Sequence, residues 1–269
     1  MSEPLAIELQ RAGAILFVTG AGISHASGIP TFRGPEPDAI WSHDVLEMAT
    51  LAFFRSNPVQ QWQWYLRRFD RCRSAQPNPA HHAITDIERT VSVSGRNFQL
   101  ITQNIDGLHA AAETRNLIEI HGAARKVRCA RQGCSNGAPN GRLAWAEEWF
   151  AAFRRKPALE TLPRCPICSG LLRPHVLWFD EFYNDHNDYG FAAAQRAVQR
   201  ATTVVFVGTS FSVGITAAVL DAVQHRRLPC WAVDPHLGAA PIPSMNVVRK
   251  PAEDFLPRIV AELKLSSAR

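Results

Sequence analysis

The chain has 269 residues, of which 46% are hydrophobic, and a formal charge of +5. That length can hold one large domain with a smaller insert, and the charge is too modest to single out an anionic partner. No apolar run is long enough to span a bilayer, and the opening stretch MSEPLAIELQRAG lacks a signal-type apolar core, so a cytosolic protein is expected.

Residues 2–13 read as a short amphipathic helix, and 15–18 as a buried strand that breaks into Thr19-Gly20-Ala21-Gly22. Glycines after a strand let the backbone approach a pyrophosphate, and the N–H groups of the next turn can face an anion. The third glycine of G-x-G-x-x-G is missing, so read alone the stretch fits a tight strand-to-helix turn as well as a dinucleotide loop. It continues through Ser27-Gly28-Ile29-Pro30-Thr31-Phe32-Arg33-Gly34 to a breaker cluster, Pro35-Glu36-Pro37.

Residues 37–76 form an aromatic-rich helical segment. Asn57-Pro58 reads as a helix start with a side-chain cap, and Trp62, Tyr65, Leu66 and Phe69 then share one apolar face. Tyr65 and Arg68 stand three apart on neighbouring surface positions. Asn78-Pro79 opens another helix, to about residue 88. Further strands are expected at 98–102, 117–120, 203–207 and 230–233, with helices at 213–224 and 252–263. Short apolar strands alternating with helices predict a parallel sheet covered on both faces. The predicted fold class is α/β: a Rossmann-like sheet formed by 1–36, 77–124 and 174–269, with a smaller inserted domain made of a helical part (37–76) and a zinc-binding module (125–173).

That module carries four of the six cysteines, Cys129-x4-Cys134 and Cys165-x2-Cys168, and one expected helix at 142–153. Two such knuckles can supply four thiolates to one tetrahedral Zn²⁺, and four thiolates leave no open position, so the zinc is structural rather than catalytic. The competing reading is four buried free thiols.

Two polar blocks follow strands, where open α/β sheets bind ligands. Thr102-Gln103-Asn104-Ile105-Asp106-Gly107-Leu108-His109 fits a polar loop with a helix cap as well as a pocket. In Glu119-Ile120-His121-Gly122, His121 fits a structural imidazole as well as an acid–base group working near neutral pH.

Taken together, the GAGIS…GIPTFRG, TQNIDGLH and HG blocks, the two cysteine pairs and Arg173-Pro174-His175-Val176-Leu177-Trp178-Phe179-Asp180-Glu181 resemble the sirtuins, the NAD-dependent protein deacylases, over about 15–234. The resemblance implies NAD as co-substrate and acylated lysine side chains as substrate, with nicotinamide and O-acyl-ADP-ribose released. It implies that Gly20, Ala21, Gly22, Phe32, Arg33, Gln103, Asn104, Ile105, Asp106, Gly208, Thr209, Ser210 and Asp234 bind the cofactor, with Gln103 and Asn104 at the ribose and Asp106 at the carboxamide. His121 would be the general base, Asn104 its companion in catalysis, and 176–181 (Val176, Leu177, Trp178, Phe179, Asp180, Glu181) the strand that pairs with a substrate peptide.

Two positions depart from the family pattern. Asp180 stands where glycine is usual, which is expected to narrow the peptide cleft or favour basic peptides. Asp234 replaces asparagine, which keeps a ribose acceptor and argues against NADP. Tyr65 and Arg68 resemble the Tyr-x-x-Arg signature of the branch that removes succinyl and malonyl groups; the bland alternative is a core tyrosine beside a solvated arginine. An NAD glycohydrolase or ADP-ribosyltransferase on the same fold is the rival enzyme. A non-catalytic NAD sensor or a zinc-ribbon nucleic-acid binder is less expected, because Arg125, Lys126, Arg128 and Arg131 have no neighbouring aromatics.

Overall fold

The computed structural model describes residues 3–31 and 43–267. Helix α1 (Pro4–Arg11) begins with proline at its first position and leads into β1 (Ala14–Thr19), after which a 3-10 turn spans Ala21–Ser27. Next come α2 (His43–Met48), α3 (Leu51–Ser56) and α4 (Pro58–Ser74), then α5 (Pro79–Val93), β2 (Asn97–Thr102), α6 (Leu108–Ala111) and β3 (Leu117–Glu119). The chain then leaves the sheet through β4 (Gly122–Cys129), β5 (Leu143–Ala144), α7 (Ala151–Arg155) and β6 (Leu172–Val176). It returns through α8 (Phe191–Arg200), β7 (Thr203–Val207), α9 (Gly214–Arg226), β8 (Cys230–Val233), β9 (Met245–Val248) and α10 (Ala252–Ser267).

Six strands form an all-parallel sheet in the order β3-β2-β1-β7-β8-β9. Every residue of β1 is buried, because the sheet is covered on both faces. Ile15 and Phe17 pack on one side with α1, α5 and α10, and Leu16 and Val18 on the other with α8 and α9. That is the period-two alternation of a strand serving two cores. A third core joins α2–α4 to the zinc-module strands: Trp62, Tyr65 and Phe69 pack with Val127, Phe150, Phe153 and Leu172, and the Trp62 indole donates to the Leu172 carbonyl at 2.8 Å.

Several elements differ from the sequence reading. The helix expected at 142–153 is instead β5, a 3-10 turn (Glu147–Trp149) and the short α7. Pairing of β5 with β4 and stacking of Trp145 on Phe150, 4.0 Å apart, override the local helix preference. Asn57 precedes α4 without capping it through its side chain, whereas Asn78 caps α5, accepting from Ala80 N–H at 2.9 Å. The edge strand β9 was not foreseen.

Candidate active site

The chain reverses direction of travel across the sheet between β1 and β7, and open α/β sheets bind ligands at such a switch point. Here three glycines bring the two strand ends into contact. A Cβ on Gly22 would stand 2.7 Å from Gly208 Cα, and one on Gly208 would stand 2.3 Å from Ile23 N, while Gly208 itself has φ +58°. Only residues without side chains allow this approach. It leaves an open cradle in the wall of a cleft of about 1290 Å³ that Gly20, Asp234, Tyr65 and Arg68 also line.

The predicted cofactor residues gather along this cleft: Gly20, Ala21, Gly22, Gln103, Asn104, Ile105, Asp106, Gly208, Thr209, Ser210 and Asp234 all line it, with His121. Phe32 and Arg33 lie outside the described residues. Gln103 bridges β1 and the β7 loop, its amide donating to the Thr19 carbonyl and to Thr209 Oγ1, both at 3.1 Å. Asn104 Nδ2 donates to the Gly20 carbonyl at 3.0 Å and to Ser24 Oγ at 3.1 Å, and Ser24 donates in turn to Asp106 Oδ2 at 2.8 Å. Asp106 also accepts from Leu108 N–H at 2.9 Å; its burial pushes the carboxyl pKa up. Ser24 is therefore the hinge of this polar cluster. The sequence reading missed it, although its place two residues after Gly22 was the available signal.

His121 sits just past β3. Its Nδ1 lies 3.0 Å from the Gln103 carbonyl, which can only accept, so Nδ1 carries the proton in the neutral ring and Nε2 holds the lone pair. Nε2 lies 2.8 Å from the phenol oxygen of Tyr183, a second residue the sequence did not reveal. Burial lowers His121 to about 4, so it is a neutral base at physiological pH.

Tyr65 also lines the cleft; it is buried and its hydroxyl accepts from the Trp178 indole at 2.8 Å, which keeps the phenol proton available. Burial raises the Tyr65 pKa, so the hydroxyl stays protonated. Arg68 is half-buried over the Trp64 ring at 3.6 Å, and burial lowers it to about 10. Among the described residues no carboxylate lies within ion-pair distance of its guanidinium.

Of the segment 176–181, Val176, Leu177, Trp178, Phe179 and Glu181 line the cleft. Its main-chain donors are already engaged: Leu177 N–H on the His121 carbonyl at 3.0 Å, Trp178 N–H on Glu181 Oε2 at 3.0 Å and Phe179 N–H on the Ala49 carbonyl at 3.0 Å. The Phe179 side chain is half exposed at this wall of the cleft. Glu181 is held by Arg173 through paired contacts of 2.5 and 2.8 Å. Asp180 turns away from the cleft. Its carboxylate accepts from Leu51 and Ala52 N–H at 2.7 and 3.0 Å, so it caps α3 rather than narrowing the peptide cleft.

The four cysteines converge: Cys129, Cys134, Cys165 and Cys168 have all their Sγ atoms within 4.8 Å of one another. Arg131 N–H donates to Cys129 Sγ at 3.3 Å. The N–H groups of Cys168 and Ile167 favour the thiolate at Cys165, whereas burial opposes it at Cys129. Donor type, number and clustering fit one tetrahedral Zn²⁺, and none of the four cysteines lines the cleft.

Two buried imidazoles, His81 and His109, and the partly buried His121 have pKa values well below the ordinary 6.5, His81 and His121 at about 4. The unfolded chain thus binds protons that the folded chain does not, and stability must fall as pH drops from about 6.5 toward about 4. Calorimetric melts between about pH 7.5 and about pH 5 should show Tm decreasing steadily toward the acid end.

The Sir2 family model matches residues 20–214. The chain is 38% identical over 212 residues to an NAD-dependent protein deacylase of Thermus thermophilus, covering 78% of this chain and 75% of that one. It is 36% identical over 227 residues to the NAD-dependent protein deacylase sirtuin-5, mitochondrial, of Danio rerio, covering 81% and 73%. Among solved structures, a Sir2 homologue–NAD complex superposes with a TM-score of 0.79 at 32% identity, covering 99% of this chain and 95% of the other.

Proposed function

The chain belongs to the Sir2 family and is an NAD-dependent protein deacylase, and on that premise we propose that His121 is its general base and that Tyr65 and Arg68 select acyl-lysines ending in a carboxylate. The observation that carries the second point is the half-buried Arg68, which lines the same cleft as the glycine cradle and has no carboxylate partner among the described residues.

When bound, NAD would supply an anomeric carbon that bonds to the acyl oxygen as the bond to nicotinamide breaks, so that the acyl group ends on ADP-ribose and the lysine is released deacylated. Gly20, Gly22 and Gly208 leave room for its phosphates; Asn104 and Gln103 face the ribose, and Asp106 the carboxamide. His121 takes a ribose hydroxyl proton at Nε2, the nitrogen that Gln103 leaves bare. Asp234 uses Oδ1 on its own loop, accepting from His236 N–H at 2.8 Å, and leaves Oδ2 for a ribose hydroxyl; a 2′-phosphate there meets a like charge, which favours NAD over NADP. The four cysteines hold a structural zinc. Ligand thiolates that stay reduced fit a cytoplasmic protein. Nucleic acid is not part of this reading; of the four basic residues near the first cysteine pair, Arg125 and Lys126 pair with Glu119, Arg128 is buried and Arg131 is exposed.

A guanidinium grips a distal carboxylate with two parallel hydrogen bonds, and the Tyr65 proton adds a third. Each charge-assisted bond contributes about 1.5–3 kcal/mol, so Arg68→Met should lower kcat/KM on a succinyl-lysine peptide by at least about tenfold. Its acetyl-lysine counterpart, which has no carboxylate, should change little. Wild-type activity equal or better on acetyl-lysine contradicts the selection, while leaving deacylation itself standing.

A further inference from the structure

Tyr183 has no part in the roles assigned so far, yet its hydroxyl stands 2.8 Å from Nε2 of His121, the nitrogen that must accept the ribose proton. The donors along this contact are fixed from one end. The Gln103 carbonyl can only accept, so it takes the Nδ1 proton at 3.0 Å and leaves Nε2 as an acceptor. Tyr183 must therefore donate to Nε2.

The phenol is held in place by its surroundings. Its ring stacks on Phe191 at 4.8 Å and 11°, and lies nearly parallel to His121 at 5.9 Å. Burial pushes its pKa up to about 12, so the proton stays on oxygen. Among the described residues, no charged group hydrogen-bonds the His121 ring. The Gln103 carbonyl comes from the end of β2 and Tyr183 from the turn after β6, and Glu119 in β3 is turned to Arg125 and Lys126.

We propose that Tyr183 is a positioning residue for the base: its hydroxyl occupies Nε2 as a stand-in for the ribose hydroxyl, holds the imidazole neutral and correctly oriented, and yields that place when the substrate arrives. The proposal rests on His121 being the base. If His121 gains a proton, the phenol loses its acceptor, because Nε2–H can no longer receive, so the contact favours the unprotonated ring. The hydroxyl acts through His121 and forms no bond to the substrate.

The test compares wild type, Tyr183→Phe and His121→Ala with NAD and an acyl-lysine peptide across the acid range, with circular dichroism at each pH to separate titration from unfolding. In Tyr183→Phe the acid limb of kcat/KM should move up by about half to one pH unit, the worth of one hydrogen bond to the neutral ring. The plateau near neutral pH should stay within about threefold, with KM for NAD unchanged or lower, since the stand-in is gone. An unmoved limb, or a rate lowered evenly at every pH, overturns the proposal. Long-range ¹H–¹⁵N spectra of wild type alone give a second answer if the variant does not fold: His121 must be protonated at Nδ1 with Nε2 a hydrogen-bonded acceptor, and a proton on Nε2 contradicts the assignment. Full activity in His121→Ala instead removes the base assignment itself, a different failure.

Discussion

His121→Ala is expected to lower deacylation by at least about a hundredfold while leaving NAD affinity within a few-fold of wild type, because a general base typically contributes about 10²–10⁴ in rate. The geometry explains the separation of the two effects. The imidazole touches Gln103 and Tyr183, whereas the glycine cradle is formed by the ends of β1 and β7 and does not depend on it. Titration calorimetry with NAD gives the binding term, and initial rates give the catalytic term. Near-wild-type turnover in the variant would show that another group takes the proton. Loss of NAD binding together with activity would show that the ring is structural.

Removing one zinc ligand is expected to have the largest effect on stability. Metal binding at four-thiolate sites contributes about 10–16 kcal/mol, and that binding energy is folding energy. Cys129 and Cys165 are both buried in the third core, with Trp62, Phe69, Phe150 and Leu172, so loss of the metal should loosen the wall that carries Tyr65 as well. Cys165→Ala should contain less than about a tenth of the wild-type zinc and melt at a much lower temperature or fail to fold. Wild type should hold about one zinc per chain, and chelation should lower its Tm. Metal analysis finding no zinc in folded wild-type protein contradicts this.

The sheet was legible wherever a strand is buried on both faces. Residues such as 15–18 and 203–207 are continuous apolar runs, because two cores demand them. The edge strand β9 reads as Met-Asn-Val-Val, with one exposed polar residue among four, and only its pairing with β8 distinguishes it from a loop. The helix expected at 142–153 failed because Trp145 and Phe150 answer to a stacking arrangement and to β4, not to helical spacing. In the site, the cysteine cluster follows from ligand spacing, whereas the glycine stretch read alone fits a tight turn equally well and was legible as a cofactor loop only through the family resemblance. The bidentate capping of α3 by Asp180 and the contact of Tyr183 with His121 follow from neither, because each joins residues far apart in the chain, with no motif to mark the partner. Arg68 lies between these cases: its spacing from Tyr65 was readable, but its lack of a carboxylate partner among the described residues emerges only from the packed structure.

The most direct measurement incubates the protein with NAD and acetyl-, succinyl- or malonyl-lysine versions of one peptide and identifies every product by mass. The account predicts deacylated peptide, nicotinamide and O-acyl-ADP-ribose in equal amounts, with the succinyl and malonyl peptides consumed faster than the acetyl one. Nicotinamide released at the same rate without any peptide, and no deacylated product with it, would contradict the account and leave an NAD glycohydrolase on this fold.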